Sequence, residues 1–322
     1  MPKCEICNYR KPKFFHGIAK YTYYKCTRCT TLFLYPKPTV VQITNYYKKS
    51  FKYPAGETNE KIIRARAKSI LKNLNKLNPN GKTLLDVGSG YGYFIDEAKQ
   101  INYEAIGVEP SKNLAEISLY PPAGRAGRYN DIVYNLTLQE YFKLNKTTKF
   151  DFISLIHTIE HVVNPLETIA KVIKLLNPGG ILYIETPNLD SHLFNAEKYN
   201  YTFLTPPDHI WLFSQRSIHF ILKKIPGIEV EKISTYSYPE HFMGILKSIF
   251  IRHSERSRGI SYNTNSIEKD PSTHIRSVGM TNNTIAKKTK MLLFDKLLAP
   301  LFTPLLNLGI KGSILELYIK KK

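Results

Sequence analysis

The sequence predicts an α/β fold: a seven-stranded, mostly parallel sheet with helices on both faces, preceded by a small cysteine-rich module. Three observations indicate this fold. From about residue 82 onward, short apolar runs typical of buried strands alternate with segments of helical hydrophobic spacing. A glycine-rich turn follows the first of these strands. The 4 cysteines of the 322-residue chain all stand before residue 30, in two close pairs.

The two cysteine pairs have the spacing of a tetrahedral zinc site. Each pair is a C-x2-C unit, and 18 residues separate the two units. About thirty residues bury too little apolar surface to fold alone, so a bound metal would supply the missing stability. Two disulfides are the alternative, and they would require an oxidising compartment. We therefore predict a structural, zinc-ribbon-like module over residues 1–45, with four ligands: Cys4, Cys7, Cys26 and Cys29.

Residues 46–81 are predicted to connect this module to the main domain and to end in a leading helix. Within residues 58–78 the apolar side chains recur at helical spacing. Pro79 and Gly81 then end the helix. The main domain accordingly spans residues 82–322.

The main domain opens with a strand, a glycine turn and a helix. Leu84 to Val87 form the strand, the turn has the pattern G-x-G-x-G, and Phe94 to Lys99 have helical character. Such a unit is typical of nucleotide binding, because glycines let a ligand approach the backbone and the helix start offers free N–H groups. The second strand, residues 104–110, carries Glu109 near its tip, where a carboxylate can accept hydrogen bonds from a ribose diol.

The charge beside the turn indicates which nucleotide is bound. A dinucleotide fingerprint has a third glycine, in the pattern G-x-G-x-x-G, which differs from the spacing here. Asp86 precedes the turn and would repel a pyrophosphate. The same carboxylate would attract the ammonium group and the cationic sulfur of S-adenosylmethionine. We therefore expect S-adenosylmethionine as the cofactor.

Further strands and helices follow in alternation. Residues 130–141 give a third strand and a turn that would flank the adenine, and residues 150–156 give a fourth strand. Residues 165–180 read as a helix with Pro165 in its first turn and two glycines after its end. The fifth, sixth and seventh strands are expected at residues 181–188, 227–238 and 312–322. The predicted cofactor-binding residues are Asp86, Gly88, Ser89, Gly90, Tyr91, Gly92, Glu109, Pro110, Asn135, Leu136, Thr137 and Ile156.

The order of these motifs resembles that of class I S-adenosylmethionine-dependent methyltransferases. The resemblance begins near Lys82 and is carried by LLDVGSGYGYF, IGVEPS, FDFISLIHTIEHVVNP and LLNPGGILYIETPN. It implies a Rossmann-like domain whose last strand inserts antiparallel between the fifth and the sixth. The stretch YKCTRCTTLFLYPKP is similar to a zinc module that precedes one branch of this family.

Within that branch, the stretch TPPDHIWLFSQRSIHFIL resembles the segment that bears an active-site histidine in sugar C-methyltransferases. The family's local pattern is Tyr-His-Glu-His, whereas Pro206, Pro207, Asp208 and His209 stand here. The resemblance therefore implies an active-site role for His209 without implying sugar chemistry.

Residues 155–165, LIHTIEHVVNP, contain H-x-x-E-H, which is also a zinc-peptidase signature. A peptidase needs both histidines on one continuous helix, but here an apolar strand ends directly before the first and Pro165 starts a new helix. The triplet is thus predicted on the loop after the fourth strand, which borders the ligand crevice in an open α/β sheet. The candidate catalytic residues are His157, Glu160, His161 and His209, because a histidine can take a proton from an acceptor near neutral pH.

Composition leaves the identity of the acceptor open. The chain has 46 Lys and Arg against 26 Asp and Glu, a net charge of +20, but the basic residues are scattered. We expect C- or O-methylation of a small molecule. An RNA methyltransferase that grips phosphates with the zinc module is the first alternative, and a non-enzymatic protein that binds adenosylmethionine and zinc is the second.

Two further expectations concern location and order. The sequence has no run of eighteen apolar residues and no signal-peptide pattern at its start, so we expect a cytoplasmic protein without a transmembrane segment. Residues 253–285 are polar, rich in Ser and Asn and without periodicity, so we predict a disordered insertion there.

Overall fold

A computed structural model describes residues 2–49, 60–119, 133–145, 147–257 and 303–322. Its main domain is built on a seven-stranded sheet. In chain order the strands of this sheet are Thr83–Val87 (β4), Glu104–Val108 (β5), Val133–Tyr134 (β6), Phe150–Ile156 (β7), Leu176–Pro187 (β8), Ile228–Tyr236 (β10) and Ile314–Lys321 (β11).

The spatial order of the strands is β10-β11-β8-β7-β4-β5-β6. Strands β4 to β8 pair in parallel, whereas β11 pairs antiparallel with β8 and with β10. The last strand therefore lies antiparallel between the fifth and sixth strands of this sheet, as predicted. The order reverses between β4 and β7, and this switch point opens a crevice at the carboxyl ends of the strands.

Helices cover both faces of this sheet. In chain order they are Glu60–Leu77 (α2), Tyr93–Gln100 (α3), Lys112–Leu119 (α4), Leu138–Leu144 (α5), Pro165–Leu175 (α6), His192–Glu197 (α7), Gln215–Leu222 (α8) and Pro239–Ser257 (α9), with short 3-10 helices at Lys198–Asn200 and Thr303–Ile310. Leu84 belongs to the buried cluster under α2 and α3, while Leu85 belongs to the cluster under α6 and α8. Successive residues of a strand point to opposite faces, so the predicted α/β architecture with two helical layers is confirmed.

Two predicted elements end elsewhere than expected. The helix predicted over residues 165–180 stops at Leu175, and the following five residues are extended as the start of β8. Pro178 explains this, since it lacks an N–H and disfavours helical backbone at Asn177 before it. The third strand has only two residues. Thr137 then caps α5: its side chain accepts from the Glu140 N–H, and the Glu140 side chain accepts from the Thr137 N–H.

A second, four-stranded sheet lies at the N-terminus. Its strands are Lys13–Ile18 (β1), Tyr21–Lys25 (β2), Leu32–Tyr35 (β3) and Trp211–Leu212 (β9), in that order. The fourth strand comes from the main domain, so this sheet is completed by residues far away in the chain. We call it the cysteine-rich sheet, because the four cysteines precede β1 or lie between β2 and β3. A helix at Val40–Lys49 (α1) follows β3, and the boundary predicted at residue 45 falls inside it.

The predicted insertion is described only at its start. Residues 253–257 belong to α9, and residues 258–302 lie outside the described part of the chain, so the insertion stays a prediction. Within the described ranges, no helix is long and apolar enough to span a bilayer.

Candidate active site

The glycine turn after β4 has the backbone that its sequence requires. Gly88, Gly90 and Gly92 have φ angles of +75°, +53° and +74°, a region that residues with a side chain rarely adopt. A Cβ at Gly88 would lie 2.5 Å from the hydroxyl of Thr158, whereas a Cβ at Gly90 would meet no heavy atom of the described chain within 4 Å. The turn therefore presents bare backbone to open space at Gly90.

Two acidic residues flank this turn in different ways. Glu109 accepts hydrogen bonds from the Gly90 N–H at 2.9 Å and from the Ser111 N–H at 2.8 Å. Burial raises the pKa of Glu109. Asp86 lies deeper and accepts a bond of 2.7 Å from the Ser154 hydroxyl. Burial raises the pKa of Asp86 to about 7 despite this bond.

A cavity of about 550 Å³ opens beside the turn, a volume typical of small-molecule sites. It joins the predicted cofactor-binding residues to the predicted catalytic histidines. The predicted residues that line it are Gly88, Gly90, Glu109, Pro110, Leu136, Thr137, Ile156, His157, His161 and His209.

The other predicted residues lie beside or beneath the cavity wall. They are Asp86, Ser89, Tyr91, Gly92, Asn135 and Glu160. Asn135 supports the wall by donating a hydrogen bond of 2.9 Å to the Glu109 carbonyl. The hydroxyl of Ser89 is buried without a hydrogen-bond partner among the described residues.

His157 is held between two buried carboxylates. Its Nδ1 lies 3.3 Å from Glu160 and its Nε2 lies 3.3 Å from Glu185. Burial disfavours the charged ring, but the two carboxylates outweigh this effect and raise the pKa of His157 to about 10. Each ring nitrogen therefore faces a carboxylate, an arrangement that favours the doubly protonated ring.

His161 and His209 form a pair whose ring centroids are 4.6 Å apart. The Nδ1 of His161 lies 3.0 Å from the Asp208 carbonyl and 3.1 Å from its carboxylate. Burial opposes charge on His161, but Asp208 and Glu160 raise its pKa to about 9. The Nδ1 of His209 lies 2.6 Å from the Phe203 carbonyl. Burial, together with nearby His161, lowers the pKa of His209 to about 4.

Glu160 connects the histidines from below the cavity. It is fully buried, and its second carboxylate oxygen accepts a bond of 2.9 Å from the Thr186 hydroxyl. One ligand atom from each of Glu160, His161 and His209 lies within 4.8 Å of the others. The Glu160 oxygens are already bonded to His157 and Thr186, so this group acts as a hydrogen-bonded network.

One wall of the cavity was not predicted from the sequence. It is formed by helix α1 through Val40, Ile43, Thr44 and Tyr47. These positions follow the i, i+3, i+4, i+7 spacing of one helix face. This spacing is the sequence signal from which the wall could have been predicted. The Tyr47 hydroxyl donates a hydrogen bond to the Asp208 carboxylate. Phe203 and Asp208 also line the cavity without having been predicted to do so.

The four cysteines converge beside the cysteine-rich sheet, before β1 and between β2 and β3. Their sulfur atoms all lie within 4.8 Å of one another, and all four residues are buried. The two C-x2-C turns have matching hydrogen bonds: the Asn8 N–H reaches the Cys4 carbonyl at 2.8 Å, and the Thr30 N–H reaches the Cys26 carbonyl at 2.9 Å. Tetrahedral zinc with Zn–S bonds of about 2.3 Å requires such a cluster.

Comparisons with known proteins find methyltransferases among the sequences similar to this chain. A curated ubiquinone biosynthesis O-methyltransferase of Caulobacter vibrioides is 29% identical over 136 residues, which are 41% of this chain and 52% of that protein. A protein of the same name from Aromatoleum aromaticum is 25% identical over 215 residues, covering 62% of this chain and 73% of that protein. Across several such relatives, the chain spans about half of their length.

A solved structure shares the fold. The plantazolicin methyltransferase BamL, in complex with a triazolic desmethylPZN analog and SAH, has a TM-score of 0.50 and 13% identity, with 87% of this chain and 94% of that chain covered. A family model described as a methyltransferase domain matches residues 59–225, which is more than half of the chain. The chain belongs to this family of methyltransferase domains.

Proposed function

We propose that this protein is an S-adenosylmethionine-dependent methyltransferase that acts on a small molecule, with a hydroxyl oxygen as the preferred acceptor atom. The observation that carries this proposal is a single cavity that is lined by the glycine turn and Glu109 at one end and by His161 and His209 at the other. Donor and acceptor would meet between these ends. Holding two reactants in line can contribute about 7–11 kcal/mol to lowering the barrier.

The cofactor end suits the proposed donor. S-adenosylmethionine, when bound, supplies a methyl group on a positively charged sulfur. The open backbone at Gly90 gives room for close approach, and Glu109 is placed to accept bonds from ribose hydroxyls. The turn at Asn135 to Thr137 would border the adenine. Asp86 would act at longer range, through the field of its buried carboxylate.

At the acceptor end, His209 is the residue that we assign as the base. Its Nδ1 donates to the Phe203 carbonyl, so Nε2 carries the lone pair of a neutral ring. The low pKa keeps this ring uncharged at neutral pH, whereas His161 pairs with Asp208 as a cation. His157 donates through both nitrogens and therefore has no lone pair for an acceptor proton. His157 and Glu160 would hold the loop in place.

The preference for oxygen rests on the base and on the relatives. A hydroxyl becomes strongly acidic as its oxygen is methylated, so the neutral Nε2 of His209, although a weak base, can take the proton at that stage. Relatives with 29% and 25% identity are named O-methyltransferases. The wall from Val40 and Ile43, together with Phe203, would pack against an apolar or aromatic acceptor.

We also propose that the cysteine cluster holds a structural zinc ion. The four sulfurs close the coordination sphere, so this ion would stabilise the N-terminal sheet and take no part in methyl transfer.

A labelled-methyl assay tests the proposal. S-adenosylmethionine with a labelled methyl group is incubated with the full chain, and with either a fractionated small-molecule extract or total RNA. We expect label in a small-molecule fraction that contains phenolic hydroxyls, and loss of that label with His209→Asn but not with the exposed control His219→Asn. Label in RNA alone would favour the RNA alternative. No label, although the cofactor binds, would contradict an enzymatic role.

A further inference from the structure

The strand that follows His209 belongs to the cysteine-rich sheet. Strand β9 pairs antiparallel with β3, with Leu32 opposite Leu212 and Phe33 opposite Trp211. The Leu34 N–H continues this pairing to the Ile210 carbonyl at 2.9 Å. The polypeptide directly after His209 is thus fixed by the same sheet that carries the four cysteines.

The same two-residue strand also holds the loop that carries His161. The N–H groups of Ile210 and Trp211 donate to the Glu160 carbonyl at 2.9 and 3.0 Å. The indole N–H of Trp211 donates to the Val162 carbonyl at 3.0 Å. The carbonyls on either side of His161 are therefore held by β9, so both histidines of the pair are attached to one short strand.

One side chain of the cysteine-rich sheet reaches His209 itself. Tyr23 on β2 is completely buried, and its hydroxyl donates a hydrogen bond of 2.7 Å to the His209 carbonyl. A buried hydroxyl without a hydrogen-bond partner is unfavourable, so this bond restrains the position of the His209 backbone. The ring of His209 is in turn fixed by the Phe203 carbonyl.

We infer that Tyr23 is a positioning residue for methyl transfer: from the cysteine-rich sheet it sets the place of His209 against His161. This inference rests on the proposed function, in which His209 takes the acceptor proton. It assigns the N-terminal module a part in the acceptor side of the active site. The role of Tyr23 is to position His209 and not to contact the acceptor, because Tyr23 does not line the cavity.

The test compares Tyr23→Phe with Tyr24→Phe in the full zinc-loaded chain. Tyr24 is the next residue of β2, and its ring packs against Phe14, Phe33 and Tyr35 on the other side of the strand, so its variant is a matched control. The readouts are the imidazole proton–nitrogen correlation spectrum, the affinity for S-adenosylhomocysteine and the turnover number for the small-molecule extract at saturating cofactor.

We expect Tyr23→Phe to shift the ring resonances of His209 and to lower turnover about tenfold, with the S-adenosylhomocysteine affinity changed less than twofold. Tyr24→Phe should leave all three unchanged. Unshifted His209 resonances and unchanged turnover in Tyr23→Phe would overturn the inference. If Tyr23→Phe does not fold, 3-fluorotyrosine at position 23 replaces it, because this change keeps the ring and alters the strength of the hydrogen bond from the hydroxyl to the His209 carbonyl. We expect it to shift the same resonances, and an unshifted spectrum overturns the inference equally.

Failure of the proposed function gives a different pattern. In that case the wild-type chain does not bind S-adenosylhomocysteine or does not transfer a methyl group. The spectrum of Tyr23→Phe still reports whether Tyr23 positions His209, so the two failures are distinguishable.

Discussion

The two ends of the cavity are assembled in different ways. The cofactor end comes from β4, β5 and the turns that follow them, and its residues lie within about fifty positions of sequence. The acceptor end combines helix α1, the loop after β7 and the segment before β9. These segments are held together by the cysteine-rich sheet through the β3–β9 pairing. From this difference we predict that mutations can affect cofactor binding and acceptor chemistry separately.

The largest difference between the two ends is expected when the proposed zinc site is disrupted. Cys29→Ser removes one of the four thiolates, and zinc binding contributes on the order of 10 kcal/mol to such modules. We expect metal content and turnover to fall to background, because β9 loses its partner strand. S-adenosylhomocysteine should still bind within about threefold of wild type, because Gly90 and Glu109 are positioned by the main sheet. Metal analysis, a turnover assay and calorimetric titration measure these quantities. Equal loss of turnover and of S-adenosylhomocysteine binding would show that the two ends of the cavity fold as one unit.

Substitution in the histidine pair should act only at the acceptor end. His209→Asn removes the proposed base, and general base catalysis contributes about 100-fold or more to rate. We expect turnover to fall by about that factor without a change in cofactor affinity. The exposed His219 on α8 supplies the control His219→Asn. A tenfold weaker affinity for S-adenosylhomocysteine in His209→Asn would argue against the division of the cavity.

The strand, turn and helix at the proposed cofactor end could be predicted from the sequence because their signals are local. The strand, the G-x-G-x-G turn and Glu109 follow one another along the chain, and their geometry is set by the backbone of a single β-α-β unit. The acceptor end could be predicted only in part. His161 and His209 were found as candidates, but Tyr47 and Phe203 reach the cavity through pairings between distant segments.

Strand β9 explains why these pairings were missed. It has two residues, Trp211 and Leu212, which is too short for any alternating pattern to be recognised. The spacing of Val40, Ile43 and Tyr47 indicated an apolar helix face. Spacing alone does not tell which part of the molecule such a face packs against. The end of α6 at Leu175 was also missed, although Pro178 carried the signal.

A smaller change is expected at Glu109, where charge is removed and shape is kept. Glu109→Gln leaves the side chain in place but weakens its bonds to a ribose diol, and hydrogen bonds to charged groups contribute about 1.5–3 kcal/mol. We expect S-adenosylhomocysteine to bind about 30-fold more weakly. Glu104→Gln, an exposed position on the same strand, should bind like wild type. Identical affinities of the two variants, measured by calorimetry, would remove Glu109 from the cofactor site.

The smallest effect concerns pH and His157. Its pKa of about 10 in the folded chain exceeds the ordinary value of 6.5. The pairing with Glu160 and Glu185 therefore contributes fully to the stability of the folded chain below about pH 6.5. This contribution is lost as the pH rises toward 10. Its side chain is 34% exposed, so solvent weakens this contribution.

Thermal unfolding of His157→Gln and wild type as a function of pH measures this contribution. We expect the melting temperature of the variant to lie below that of wild type by roughly 3 °C at pH 6, and the gap to narrow toward pH 10. The control His219→Gln, on the exposed side of α8, should have the melting temperature of wild type. A gap that stays constant with pH would mean that His157 is uncharged in the folded chain.

The most direct test of the central claim is a crystal structure of the full chain with S-adenosylhomocysteine. The claim predicts the ribose diol on the Glu109 carboxylate and the sulfur facing His161 and His209 across the cavity. Binding of the molecule outside this cavity, or with its sulfur turned away from both histidines, would contradict it.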